Sequence, residues 1–175
     1  MRPRQNSCCF TGHRPNKLPW GYDESDPRCL ALKRRISDSV ESAYEEGFRH
    51  FLCGMAQGCD LYFCESVLAL RQRHPEVSLE AVIPCPTQAD TWPAAQRARY
   101  ACLVSACNLE TLVSAHYTPS CMLRRDRYMV DHAALLIAAF DGTAGGTRYT
   151  VEYAMRHSVP VVYVPLGPNS NILIR

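Results

Sequence analysis

Phe51-Leu52-Cys53-Gly54-Met55-Ala56-Gln57-Gly58-Cys59-Asp60 runs from an apolar pair through a loop of small residues to an acid, and a second apolar run covers residues 61–70. This is the pattern of a strand, a tight turn and a helix. Gly54 and Gly58 are expected to leave backbone amides uncovered beside a helix N-terminus. Amides presented in that way bind anions, phosphate above all, because the donors and the helix dipole point the same way. Gly54, Met55, Ala56, Gly58 and Asp60 are therefore candidate ligand-binding residues.

The same alternation extends in both directions. Upstream, Ser7-Cys8-Cys9-Phe10 reads as a strand that ends in the polar loop Thr11-Gly12-His13-Arg14-Pro15. Asp26-Pro27 has the form of a helix start, an N-cap acid followed by proline at the first helical position. The helix should present Leu30, Lys33, Ser37, Val40 and Tyr44 near one side, with Ile36 and Ala43 adjacent, and end at Gly47. The second strand spans residues 48–53 and the second helix 60–73. Downstream, residues 79–84 read as a strand. Thr87-Gln88-Ala89-Asp90 fits a capping box before a helix reaching about residue 107, with Pro93 able to delay its start. A short strand at 109–113, a basic helix at 120–132 and a continuous apolar strand at 134–140 follow. The loop Asp141-Gly142-Thr143-Ala144-Gly145-Gly146-Thr147 then leads into a helix at 148–157 and a last strand at 160–164. The tail from Gly167 is read as an edge extension or a frayed end.

About six strands alternating with helices predict an α/β three-layer domain, a mostly parallel sheet with helices on both faces. One domain is expected over 1–175, with its core at about 7–166. Ligands of such sheets bind beyond the carboxyl ends of the strands, where the strand order switches. The loops beginning at Thr11, Gly54, Pro84, His116 and Asp141 should converge there.

Bulk composition excludes several classes. A net charge of +2 provides no general field for a polyanion, which argues against nucleic acid. No apolar run approaches a membrane span, and Met1-Arg2-Pro3-Arg4-Gln5 lacks the apolar core of a signal peptide, so a cytoplasmic protein without a membrane partner is expected. Ten cysteines are present with no Cys-x-x-Cys pair, and they read as reduced thiols packed in or near the core. Six scattered histidines form no metal constellation, so no metal ligands are assigned.

The loop at 141–147 is the second chemical signal. Gly145 and Gly146 permit close approach of a ligand to backbone, and Thr147 and Thr150 offer hydroxyls, although the loop matches neither Walker A nor G-x-G-x-x-G. Asp141 opens it. Arg14, Arg124, Arg125 and Arg127 supply guanidinium groups suited to phosphate, and at least one of the helical arginines must point away from any site. His13 is read either as a donor to phosphate or ribose or as a loop brace. Glu152 is read either as a carboxylate acting on a glycosidic bond or a water, or as a surface residue. Trp20 and Trp92 are candidates for stacking on a base or for roofing the core.

These segments resemble the SLOG superfamily, which includes the DNA-processing protein DprA and the LOG phosphoribohydrolases, and within it the YpsA-like family. The carrying motifs are the Gly54 loop, which is similar to S/G-G-x-A-x-G-x-D; Thr11-Gly12-His13-Arg14-Pro15; Gln88 with Trp92; Arg127-Tyr128-Met129-Val130-Asp131-His132; and Gly145-Gly146-Thr147 followed by Tyr149-Thr150-Val151. The resemblance implies a Rossmann-like fold that binds a nucleotide or a nucleotide-derived ligand, and it implies the homodimers common in the superfamily. LOG enzymes carry P-G-G-x-G-T-x-x-E and an upstream R-K-x-x-M helix. Gly145, Gly146, Glu152, Arg125 and Met129 match that pattern. Ala144, Arg148, Tyr149 and Asp126 depart from it.

Three functions follow as alternatives. The first is binding or sensing of a nucleotide-like small molecule, such as one derived from NAD or ADP-ribose, with no further cofactor assigned. The second is an N-glycosidase or phosphoribohydrolase of the LOG type, with Glu152 and Arg125 catalytic. The third, least favoured by charge and by the few aromatics near the basic helix, is single-stranded DNA binding in the manner of DprA. No protein partner is named by the residues.

Overall fold

The computed structural model describes residues 4–167. Six strands form one parallel sheet: β1 (Ser7–Gly12), β2 (His50–Cys53), β3 (Ser78–Ile83), β4 (Leu109–Leu112), β5 (Leu135–Ala139) and β6 (Val161–Val164). Their order across the sheet is β4-β3-β2-β1-β5-β6. Five helices connect them: α1 (Pro27–Glu45), α2 (Cys59–Arg73), α3 (Ala94–Ala106), α4 (Cys121–Asp131) and α5 (Gly146–Arg156). This is the expected α/β, Rossmann-like arrangement.

Side chains alternate across the sheet and divide the core in two. Phe10, Phe51, Cys53, Leu79, Ala81 and Ile137 face the layer of α1, α2 and α3. Cys9, Leu52, Val82, Leu136 and Ala138 face Met129 and Val130 of α4 and Val151 and Ala154 of α5. The central strands are buried on both faces, which is why residues 135–139 form an unbroken apolar run. On the α4 face, a polar network replaces apolar packing near the strand starts. His50 Nε2 lies 2.8 Å from Glu80 Oε2, and Thr111 Oγ1 donates to Glu80 Oε1 at 2.7 Å. All ten cysteines are free thiols and eight are buried, so most act as small core residues.

Several local expectations change. Asp26 caps α1 as read, accepting from Arg28 N at 2.8 Å. The buried stripe of α1, however, is Cys29, Leu32, Ile36, Val40 and Ala43, while Leu30 is 42% exposed. The helix is rotated by one residue because Cys29 takes the core position that the larger Leu30 suggested. The capping box at 87–90 does not start a helix. Pro93 is itself the N-cap of α3, and turns fill the residues before it. Pro93 has extended dihedrals there, so the helix can begin only after it. The expectations for the tail beyond residue 167 lie outside the described residues.

Chain direction locates the functional edge. The path steps outward from β1 through β2 and β3 to β4, then returns to place β5 on the other side of β1. The connections leaving β1 and β5 therefore diverge to opposite faces and leave a crevice between their loops.

Candidate functional site

That crevice opens into a cavity of about 260 Å³. The β1 loop contributes Thr11, Gly12, His13, Arg14 and Lys17 to its lining, and the β2–α2 turn contributes Ala56 and Asp60. Helix α4 adds Met122, Leu123, Arg125 and Asp126, and α5 adds Gly146 and Thr147 from its first turn. Loops that are far apart in the chain meet here because all six strands point the same way. The loops after β3 and β4 that begin at Pro84 and His116 supply none of the lining residues.

Arg125 forms the floor. It is 4% exposed, and its Nε donates to Asp126 Oδ1 at 2.6 Å while its Nη1 donates to the Gly54 carbonyl. Gln88 Nε2 donates to that same carbonyl at 3.0 Å. Gly54 makes room for this guanidinium, since an added Cβ would stand 2.6 Å from Arg125 Cζ. Asp60 is also buried, and its Oδ2 accepts from Ala56 N at 3.1 Å. Burial pushes Asp60 up to about 6, while the Arg125 cation and the Ala56 amide pull the other way.

Two amides at this turn, Ala56 N and Cys59 N, are therefore not open to a ligand, where the reading of the sequence left the turn uncovered. Asp60 takes Ala56 N, and the carbonyl of His13 accepts from Cys59 N at 3.1 Å. Gly58 sits at φ +83°, and the His13 carbonyl lies 2.8 Å from where its Cβ would be. The β1 loop thus seals the start of α2. Met55, fully buried at φ +57°, is held in the same strained turn. Gly54, Met55 and Gly58 shape the site from behind, and Ala56 and Asp60 reach the cavity.

The open helix N-terminus belongs to α5. Gly145 occupies its N-cap position with no capping side chain, and the first-turn amides find no protein acceptor among the described residues. Gly146 and Thr147 present that end to the cavity. Thr150 is fully buried and spends its hydroxyl on Gly146 O at 2.9 Å, so it does not reach the lining. His13 and Asp141 brace the two loops together, with Nε2 and Oδ1 at 2.7 Å. Burial opposes ionisation of Asp141, but hydrogen bonds from His13 and Thr143 outweigh it and hold the carboxyl at about 2. Lys17 donates to the carbonyl of Ala144 and adds a second tie between the same loops.

Two expected residues face elsewhere. Arg127 is exposed, donates to Tyr149 Oη and lies over the rings of Tyr149 and Tyr153. Glu152 accepts from Arg148 Nε at 2.8 Å on the outer side of α5 and is absent from the cavity lining. Helical phase explains the placement of Arg127: residues two apart on α4 cannot share a face, and Arg125 takes the inward one. Trp92 packs edge-on against Tyr100, away from the cavity. Asp126 and Lys17 were missed. Asp126 was legible as the acid beside Arg125, whereas nothing in the chain pairs Lys17 with Ala144, 127 residues away.

A model of the YspA SLOG family matches residues 8–163, from β1 into β6. The chain belongs to this YpsA family of SLOG proteins. Among family relatives, it is 29% identical over 144 residues to the uncharacterized SPbeta prophage-derived protein YoqJ of Bacillus subtilis, covering 75% of this chain and 84% of YoqJ. It is 26% identical to a UPF0398 protein of Halalkalibacterium halodurans, covering 84% of this chain and 79% of that one. Among solved structures, DNA processing protein A from Helicobacter pylori, described with a single-stranded DNA binding mode, superposes with a TM-score of 0.62 at 15% identity, covering 95% of this chain and 68% of the other. That likeness shows a shared fold. Among the described residues, no helix is long and apolar enough to cross a membrane, and no group of His, Cys, Asp and Glu is arranged to hold a metal.

Proposed function

We propose that this YpsA-family protein binds the phosphate of a nucleotide-derived small molecule, of the kind represented by ADP-ribose and NAD, and acts as a sensor without turnover. The observation that carries this reading is the uncapped N-terminus of α5, which opens into a cavity at the β1–β5 switch. A helix end of this kind offers converging amides and a positive dipole. Arg14, Lys17 and Arg125 line the same cavity against two carboxylates, Asp60 and Asp126, which leaves it cationic. Met122 and Leu123 supply an apolar wall for a base or ribose.

Binding without cleavage is favoured because the carboxylate expected from LOG enzymes, Glu152, pairs with Arg148 outside the cavity. The test is calorimetric titration with AMP and ADP-ribose against Gly146→Asp. Gly146 is the better position for this test than Gly145, since nothing lies within 4 Å of an added Cβ at Gly146, whereas Gly145 holds φ +145° with Lys17 Nζ 2.6 Å from its Cβ position. Binding by the natural protein and its loss in Gly146→Asp is the expected result. Undiminished binding in that variant would remove α5 from the site.

A second reading, single-stranded DNA binding, draws on the DprA likeness and on one surface feature. The Tyr149 and Tyr153 rings lie 6.3 Å apart at 23°, beside Arg127, an arrangement of stacking platforms and charge. It predicts a steep salt dependence and weakened binding in Arg127→Ala, neither of which a cavity ligand would give.

A further inference from the structure

Beyond Lys17 lies a second cavity of about 430 Å³. Pro19 and Trp20 of the β1 loop, Pro27 and Ala31 of α1, and Leu166 after β6 give it apolar walls. Arg28 and Arg35 stand at its edge with Lys17 and Asp141. Arg35 fixes one wall by donating to Pro165 O at 2.9 Å and Leu166 O at 3.0 Å. The cavity adjoins the first. Lys17 lines both, and Asp141, which lines the second, is held by His13, which lines the first.

We propose that the two cavities receive the two halves of one ligand, a dinucleotide-type molecule whose diphosphate bridge crosses Lys17 and whose distal ring or sugar lies beside Trp20. This rests on the phosphate reading above and adds to it the second compartment and the path of the diphosphate. Three observations support it. The first cavity alone falls below the roughly 300–1,000 Å³ that small-molecule sites span, so a larger ligand must extend out of it. Lys17 borders both cavities, and among the described residues its ammonium is held by one neutral carbonyl, that of Ala144. A phosphate oxygen is the stronger partner for an ammonium, so an arriving diphosphate takes Lys17 from Ala144. The compartment beyond combines apolar walls with a cationic rim, which suits a ring carried on an anionic bridge and does not suit a free anion.

The experiment is titration calorimetry with AMP, ADP-ribose and NAD on the natural protein and on Ala31→Phe, which fills the second cavity from α1 without touching the first. The natural protein should bind ADP-ribose and NAD at least about tenfold more tightly than AMP, the advantage of burying the added half. Ala31→Phe should abolish that advantage and leave the AMP affinity unchanged, which also reports that the variant is folded. AMP binding with no advantage for the larger ligands overturns the two-compartment site and leaves the phosphate reading standing, as does an advantage that survives Ala31→Phe. Absence of binding by all three ligands overturns both. If Ala31→Phe does not fold, the comparison is made with Ala31→Leu, and an advantage it fails to reduce overturns the assignment.

Discussion

The guanidinium of Arg125 occupies the space where a side chain of residue 54 would be, and it donates to the carbonyl of the same residue. A glycine at the end of β2 and an arginine on α4 are thus a matched pair, 71 residues apart. Gly54→Ala should destabilise the protein by about 1–3 kcal/mol, because the added methyl pushes the buried guanidinium off the Gly54 carbonyl and Asp126. Urea denaturation measures this. In an Arg125→Ala background the added cost of Gly54→Ala should largely disappear, and equal costs in both backgrounds would show that the two residues are not coupled.

Asp60 makes stability depend on pH. Its folded-state pKa of about 6 lies above the ordinary aspartate value of 3.8, so the folded protein holds this proton more tightly than the unfolded chain. The corresponding stabilisation is full below pH 3.8 and is lost as pH rises through 6. Asp60→Asn lacks this titration. Its stability relative to the natural protein should therefore rise between pH 4 and pH 7, by on the order of 2–3 kcal/mol. Denaturation of the two proteins across that window checks the sign, and a difference constant with pH would contradict it.

Gly146→Asp separates folding from binding. A carboxylate in the first turn of α5 favours the helix dipole, so the variant should be as stable as the natural protein or more stable by about 0.3–1 kcal/mol. The same carboxylate stands where the ligand phosphate is placed, and AMP affinity should fall more than about tenfold. Thermal melts with and without AMP read both effects at once.

Glu152→Gln should leave the thermal midpoint and nucleotide affinity nearly unchanged. The pair it breaks with Arg148 is an exposed i, i+4 contact worth about 0.3–0.5 kcal/mol. An assay for free base with the natural protein and this variant completes the test. Base release by the natural protein that the variant loses would assign Glu152 to chemistry and replace the sensor reading.

Much of this architecture was legible along the chain. Asp26-Pro27 announced α1, the apolar run around residues 135–139 announced a central strand, and the small-residue turns announced the loops that follow β2 and β5. These signals are local: a cap, a period or a loop composition depends on neighbours within a few residues. The direction of each side chain was less legible. Leu30 was placed inward, and Arg125 and Arg127 were candidates for the same cavity, because a pattern of apolar or basic residues locates a helical face only to within about one residue.

The amino-acid sequence by itself determined the order of strands and helices, the parallel sheet they imply, and the family to which the chain belongs. Only the tertiary structure decided which glycine loop leads into an uncapped helix end. Both loops read as open helix N-termini, since each places small residues ahead of a helix. Asp60 and the His13 carbonyl fold back onto Ala56 N and Cys59 N at the start of α2 and satisfy those two amides, whereas nothing among the described residues caps α5. Whether a backbone amide is free depends on what lies within hydrogen-bonding distance of it, and for Cys59 that partner is 46 residues earlier in the chain, brought there by the pairing of β1 with β2.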